Sequence, residues 1–94
     1  MILRGLVVCV DFDDLLNLTL PRNAMHMSEI LVVTTPDDTA TQQVVSTIPN
    51  ARCFTTDLFY RDGAKFNKGR AVEAALDHFG RHGWMLIFDA DIIF

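Results

Sequence analysis

Two aspartates follow the last long apolar run, at Asp89-Ala90-Asp91. If the backbone bends there, both carboxylates reach one point. Hard oxygen donors of this kind suit Mn²⁺ or Mg²⁺, ions that bridge well to a diphosphate. A second segment, Phe66-Asn67-Lys68-Gly69-Arg70, carries the opposite charge. Gly69 near a helix start lets backbone approach a ligand, and Lys68 and Arg70 add charge beside N-terminal amides, where phosphate binds well. A third, Thr34-Thr35-Pro36-Asp37-Asp38, offers an aspartate to a base imide or a ribose hydroxyl. A fourth, Asp11-Phe12-Asp13-Asp14, is also acidic. Each has a plainer reading: solvated loop aspartates at 89 and 91, an Asn67 cap with two solvated cations, a helix cap at Asp37 or Asp38, and dipole-stabilised carboxylates at 11–14.

Regularly spaced apolar runs supply the elements that must hold these groups. Leu6–Val10, Ile30–Val33, Ala51–Thr55 and Trp84–Phe88 read as strands, apolar on both faces. A helix is expected over Asp11–Met27, broken or kinked near Leu20 by Pro21, or beginning after it. A second, Thr39–Ile48, has Val44, Val45 and Ile48 on one side. A third, Asn67–Gly80, repeats Ala71, Val72, Ala75, Leu76 and Phe79 at helical spacing, and Gly80 and Gly83 are stop signals. Asp57–Phe66 reads as a loop.

The alternation β-α-β-α-β-α-β predicts an α/β fold, three-layer α/β/α with a parallel sheet in the order 3-2-1-4. Right-handed crossovers then bring Asp11, Thr34–Asp38, Thr55–Asp57 and Asp89–Asp91 to the carboxyl ends of the strands, where such sheets bind ligands. The carboxylates of Asp11, Asp13, Asp14, Asp37, Asp38, Asp89 and Asp91 repel one another at that rim unless a cation sits among them.

Composition bounds the rest. At 94 residues there is room for one domain, and 50% apolar content with 10% aromatics excludes disorder. No apolar run reaches the ~20 residues of a membrane span. The N-terminal run lacks a small-residue cleavage site and leads straight into Asp11, so it reads as a strand rather than a signal peptide. Cys9 and Cys53 read as reduced, buried thiols, which points to a cytoplasmic protein. The Asn17-Leu18-Thr19 sequon carries no meaning without a secretory signal. A pI near 5.1 with no basic cluster excludes a nucleic-acid backbone binder. Neither Gly-x-Gly-x-x-Gly nor a Walker loop is present. His26, His78 and His82 read as surface or boundary residues, and Trp84 as core. The end in Ile92-Ile93-Phe94 predicts a piece of a longer protein, with strand four an open edge through which copies self-associate.

Ile30–Asp38, Phe66–Ala71 and Gly83–Ile92 together resemble, in order and spacing over nearly the whole chain, the nucleotide-sugar-binding half of a GT-A-type glycosyltransferase of the broad family-2-like group. The resemblance implies a nucleotide-diphosphate-sugar donor, transfer to an acceptor, and a divalent metal, Mn²⁺ or Mg²⁺. By position, Asp37 or Asp38 would meet the base or ribose. Asn67, Lys68 and Gly69 would lie at the diphosphate or base region. Asp89 would meet the ribose or sugar and, with Asp91, the metal. Residues 1–94 would form the donor and metal half. The acceptor site and any catalytic base belong to a second half, so the 94-residue chain alone is not expected to turn over. Asp11-Phe12-Asp13-Asp14 departs from the family's usual Pro-Thr-Tyr-Asn type of turn, which leaves the donor contact from strand one open.

An alternative resemblance is to haloacid-dehalogenase-like phosphatases. It implies Asp11 as nucleophile and Asp13 as acid/base, with Thr34 or Thr35 after strand two. Leu15 stands where that pattern has a small Thr or Val, and Phe66–Gly69 goes unexplained. A third alternative is a non-catalytic nucleotide- or metal-binding fragment.

Overall fold

A computed structural model describes residues 3–11, 13–57, 68–80 and 84–90, leaving aside the side chains of Asp13, Lys68 and Asp89. Among the described residues, four strands and three helices alternate: β1 (Leu3–Val8), α1 (Asp13–Ala24), β2 (Glu29–Thr34), α2 (Thr39–Ser46), β3 (Ala51–Thr55), α3 (Lys68–Phe79) and β4 (Trp84–Asp89). The sheet is parallel throughout, in the order β3-β2-β1-β4. Val8 pairs with Val33 on one side and with Asp89 on the other.

The layers follow from handedness. The chain steps β1 to β2 to β3 in one direction, so right-handed crossovers put α1 and α2 on one face. It then returns past β2 and β1 to lay β4 on the far side, which puts α3 on the other face. Two cores result. Leu16, Leu20 and Ala24 of α1 and Val45 of α2 pack on Val7, Cys9, Ile30, Val32 and Phe88. Ala71 and Ala75 of α3 pack on Leu6, Val8, Leu31 and Val33. The central strands β1 and β2 are buried on both faces, as their apolar runs Leu6–Val8 and Ile30–Val33 require. Gly5 permits the closest approach: a Cβ there would meet Met27 Sδ, and would lie 3.1 Å from Phe88 Cε1 and 3.3 Å from Ile30 Cγ1.

Arg4 anchors α3 from below the sheet. It is 3% exposed, and its guanidinium donates to the carbonyls of Phe79 and Gly80, both at 3.0 Å. A cation is favourable at a helix C-terminus, and these carbonyls have no partner further along the helix. Gly80 closes the helix at φ 86°, donating its N–H to the Leu76 carbonyl at 2.9 Å. Arg4 also pairs with Glu29 (Nε–Oε2 3.4 Å), which holds Arg52 on its other oxygen (3.0 Å).

Three expectations are corrected. Of the alternatives at Pro21, a break and a start after it are overturned: the first helix runs from Asp13 through Pro21 to Ala24. Proline removes the hydrogen bond to the Asn17 carbonyl and crowds it, but Asn17 is exposed, so water can take the place of the lost donor. Trp84 is not core: it is 66% exposed on the edge strand β4, where Ile87 is 46% exposed. Cys9 is buried as expected, but Cys53 is only partly so, because β3 is the opposite edge. Among the described residues, no helix is long and apolar enough to cross a membrane.

Candidate functional site

The carboxyl ends of β1, β2 and β3 surround a cavity of about 200 Å³ lined by Val10, Asp11, Thr35, Pro36, Asp37 and Asp57. Asp11, Asp37 and Asp57 are exposed at its rim. Three acceptor-only carboxylates face a space smaller than the ~300 Å³ of a typical whole-ligand site. It suits one hydroxyl- or N–H-bearing portion of a ligand, such as a base or ribose.

Asp38 stands directly behind this cavity and does something different. It is 6% exposed and is the N-cap of α2. Its Oδ2 accepts from the Asp11 N–H (2.9 Å), the Thr34 hydroxyl (2.9 Å) and the Thr41 hydroxyl (2.7 Å). Its Oδ1 accepts from the Thr41 N–H at 3.3 Å. Burial works to raise the Asp38 pKa, but the donated hydrogen bonds together outweigh it and hold the carboxyl below its ordinary range. Because Thr41 gives its hydroxyl proton to Asp38, the Cys9 thiol 3.7 Å away must donate to the Thr41 oxygen.

One carboxylate therefore ties the exit of β1, the end of β2 and the start of α2 into one node. The bond to the Asp11 N–H fixes a residue at φ 62°, in the left-handed region that aspartate tolerates better than most. Of the two adjacent aspartates, Asp37 faces the cavity and Asp38 serves the scaffold. Cys53, on β3, has its thiol pushed up to about 11 by burial first, then by the nearby Asp38 charge and Cys9.

The sheet changes direction between β1 and β4. The connection from β1 leads toward β2, and the connection into β4 arrives from the opposite side, so the carboxyl ends of these strands flank a topological switch point. Asp89 ends β4 there, opposite Val8, and the chain turns at Ala90. Ala90 is buried against α1, and the Thr19 hydroxyl donates to its carbonyl at 2.6 Å. The Asp89 carboxylate and Asp91 lie outside the described residues. Carboxylate oxygens match a hard divalent cation in donor chemistry. Among the described residues, no three His, Cys, Asp or Glu side chains come together to hold a metal ion.

The basic segment predicted at Phe66–Arg70 is carried from Lys68 onward by α3. Twelve residues of α3 rise about 18 Å, close to the length of a six-residue strand. With its C-terminus held by Arg4 near the start of β1, its first turn, Lys68-Gly69-Arg70, stands level with the strand carboxyl ends. Gly69 is exposed there, and Asn67 lies outside the described residues. His78 is exposed and packs on Phe54 and Phe79, with ring centroids 5.1 and 4.9 Å away, at the other end of the helix.

Sequence reasoning did not find Thr19, and it brought Asp57 to this edge without singling it out as a site residue. Thr19 reads only as part of a sequon, and no spacing rule links it to Ala90, 71 positions away. Asp57 reads as the start of a polar loop. Comparison with known protein families, with curated proteins and with solved structures finds no match to this chain.

Proposed function

We propose that this chain is the donor-binding half of a divalent-metal-dependent glycosyltransferase that takes a nucleotide-diphosphate sugar. The observation that carries the reading is the switch point. β4 ends at Asp89, the first residue of the Asp-x-Asp sequence, beside the exit of β1 and on the sheet edge that carries the small acidic cavity. A diphosphate needs a cation and amides, and a nucleoside needs acceptors; the sequence puts each kind of group on this one edge.

In this reading Asp37, with Asp11 and Asp57 around it, accepts from the base or ribose. Asp38 holds that loop in place rather than touching the donor. Asn67, Lys68 and Gly69 receive the diphosphate at the helix start. Asp89 and Asp91 hold Mn²⁺ or Mg²⁺, with Asp89 also near the ribose or sugar. The cation supplies charge neutralisation to the leaving diphosphate. The acceptor and its activating base belong to residues outside this chain.

The test is a thermal-shift titration with UDP, GDP and CDP, each with and without Mn²⁺. A metal-dependent rise with one of them is expected, about 2.7 kcal/mol at a hundredfold excess over Kd. Asp91→Ala should abolish the metal-dependent part, and Asp11→Asn should weaken nucleotide binding while keeping its dependence on the metal. A folded chain that no nucleotide stabilises overturns the reading. Phosphate release from p-nitrophenyl phosphate that survives Asp91→Ala but not Asp11→Asn would put the phosphatase alternative in its place.

A further inference from the structure

We infer that the cavity at the carboxyl ends of β1, β2 and β3 selects guanine, with the Thr35 hydroxyl donating to the base carbonyl and the Asp37 carboxylate accepting from its two adjacent N–H groups. The inference rests on the nucleotide-donor reading above and names the base of that donor.

It starts from a buried hydroxyl that the protein does not use. Thr35 is 7% exposed and lines the cavity. Thr19, Thr34 and Thr41 are buried as well, and each donates its hydroxyl to a protein oxygen, at 2.6, 2.9 and 2.7 Å. The Thr35 hydroxyl makes no hydrogen bond within the described residues. Its carbonyl, by contrast, accepts from the Asp38 N–H at 3.2 Å and from Gln42 Nε2 at 3.1 Å. A buried hydroxyl without a protein partner is uncommon. This one is not sealed into the core, so it opens on the cavity that the residue lines.

The other polar side chains around the space are acceptors. Asp11, Asp37 and Asp57 carry carboxylates, which take hydrogen bonds and give none. They are not grouped as the ligands of one metal ion are. What complements them is a molecule that brings several N–H groups and one carbonyl. Val10 and Pro36 give a flat ring an apolar wall. A volume of about 200 Å³ suits one base rather than a whole nucleotide.

The bases differ on this edge. Guanine presents two neighbouring N–H groups and one carbonyl, which one carboxylate and one hydroxyl complete. Two parallel N–H bonds to a carboxylate form the same fork that arginine makes. Uracil presents a single N–H between two carbonyls, and the carbonyls would face carboxylates. Cytosine and adenine present one amine beside a bare ring nitrogen, which a carboxylate repels. Thr35 and Asp37 flank Pro36, whose fixed φ limits how the donor and the acceptor turn relative to each other.

The experiment titrates the chain by calorimetry, with and without Mn²⁺, using GDP, UDP, CDP, inosine 5′-diphosphate and xanthosine 5′-diphosphate. GDP is expected to bind about 10- to 100-fold tighter than UDP or CDP. Inosine diphosphate lacks the 2-amino group and should bind about 10-fold more weakly than GDP. Thr35→Val keeps the shape, removes the donor and should weaken GDP about 3- to 10-fold; Thr35→Ser should restore it. Asp37→Asn exchanges an acceptor for an N–H₂ donor. It should move the preference from GDP to xanthosine diphosphate, which has a carbonyl in place of the amine. A merely structural role of Asp37 would weaken every nucleotide alike. Asp37 is exposed, so this variant decides the matter if Thr35→Val fails to fold. UDP or CDP binding as tightly as GDP overturns the proposal and leaves the donor reading standing. So does weakened binding of 2′,3′-dideoxy-GDP with no discrimination among bases, which gives the cavity to the ribose. GDP bound with this base preference but without dependence on Mn²⁺ supports the proposal and removes the metal-dependent reading. A folded chain that binds no nucleotide overturns both.

Discussion

Replacing Asp38 with alanine asks whether this aspartate serves the scaffold or the ligand. The change removes an acceptor from four donors. Loss of the N-cap bond to the Thr41 N–H costs about 1 kcal/mol. Thr34 and Thr41 are fully buried, so water cannot replace the carboxylate for their hydroxyls. Each buried donor left without a partner costs about 1–3 kcal/mol. The Asp11 N–H lies at the rim, where water reaches it, and contributes least. Allowing for overlap among donors to one group, the sum is about 3–5 kcal/mol. A chain of this length has a total stability of roughly 5–14 kcal/mol, so the variant should be close to unfolding. The melting temperature followed by far-ultraviolet circular dichroism should fall by more than about 12 °C.

Asp38→Asn keeps the shape but turns an N–H₂ toward hydroxyl donors, and should lie between the two. The pH dependence supplies an independent arm. The folded pKa of Asp38 is below its ordinary 3.8. Its contribution is therefore complete above pH 3.8 and is lost as pH falls through the lower folded value. That segment of the acid unfolding curve should flatten in Asp38→Asn. A loss below about 1 kcal/mol in Asp38→Ala, with nucleotide binding abolished, would refute the reasoning and return Asp38 to the ligand.

Two further outcomes are expected. Arg4→Met keeps the buried stem but strips the C-terminal carbonyls of α3 of their cation. It should cost about 2–4 kcal/mol by urea unfolding, and a cost under about 1 kcal/mol would mean that Gly80 ends the helix unaided. Cys53, with its thiol near 11, should react with iodoacetamide at pH 8 far more slowly than an unstructured cysteine. Its protonated form is favoured by folding, so the associated stability is present below the ordinary value of 9.0 and disappears as pH rises through about 11. Labelling at the rate of a free thiol would contradict the partial burial of Cys53 on β3.

The strands and their order were legible because β-branched apolar runs with polar connections leave few alternatives. Ala51–Thr55 has the same bounds in sequence and structure, since Pro49-Asn50 on one side and a polar stretch on the other delimit it. The third helix was legible from its alanine and leucine spacing. Pro21 misled because a proline rule counts one lost bond and not the packing of Leu16, Leu20 and Ala24 that carries the helix through. Trp84 misled because size and hydrophobicity do not reveal that a strand is at an edge. In the candidate site, the pairing of Asp37 with Asp38 was readable, but the division of labour between them was not. It depends on Thr34, Thr41 and the Asp11 backbone meeting at one carboxylate. Arg4 and Thr19 were invisible for the same reason: each acts on a backbone carbonyl more than 70 positions away.

The order β3-β2-β1-β4 also dictates a sequence of assembly. As the chain emerges from the ribosome, β1, β2 and β3 can pair through neighbouring units with short loops to close. The other side of β1 has to wait until residue 84 has been made, because its partner is β4. During that interval the chain presents an unpaired apolar strand flank, the kind of intermediate that holdase chaperones recognise and that non-local pairing makes slow to resolve. Docking of β4 then pairs the second side of β1 and brings Asp89 opposite Val8. The switch point between these two strands thus forms only after β1, β2, β3 and α3 have all been made.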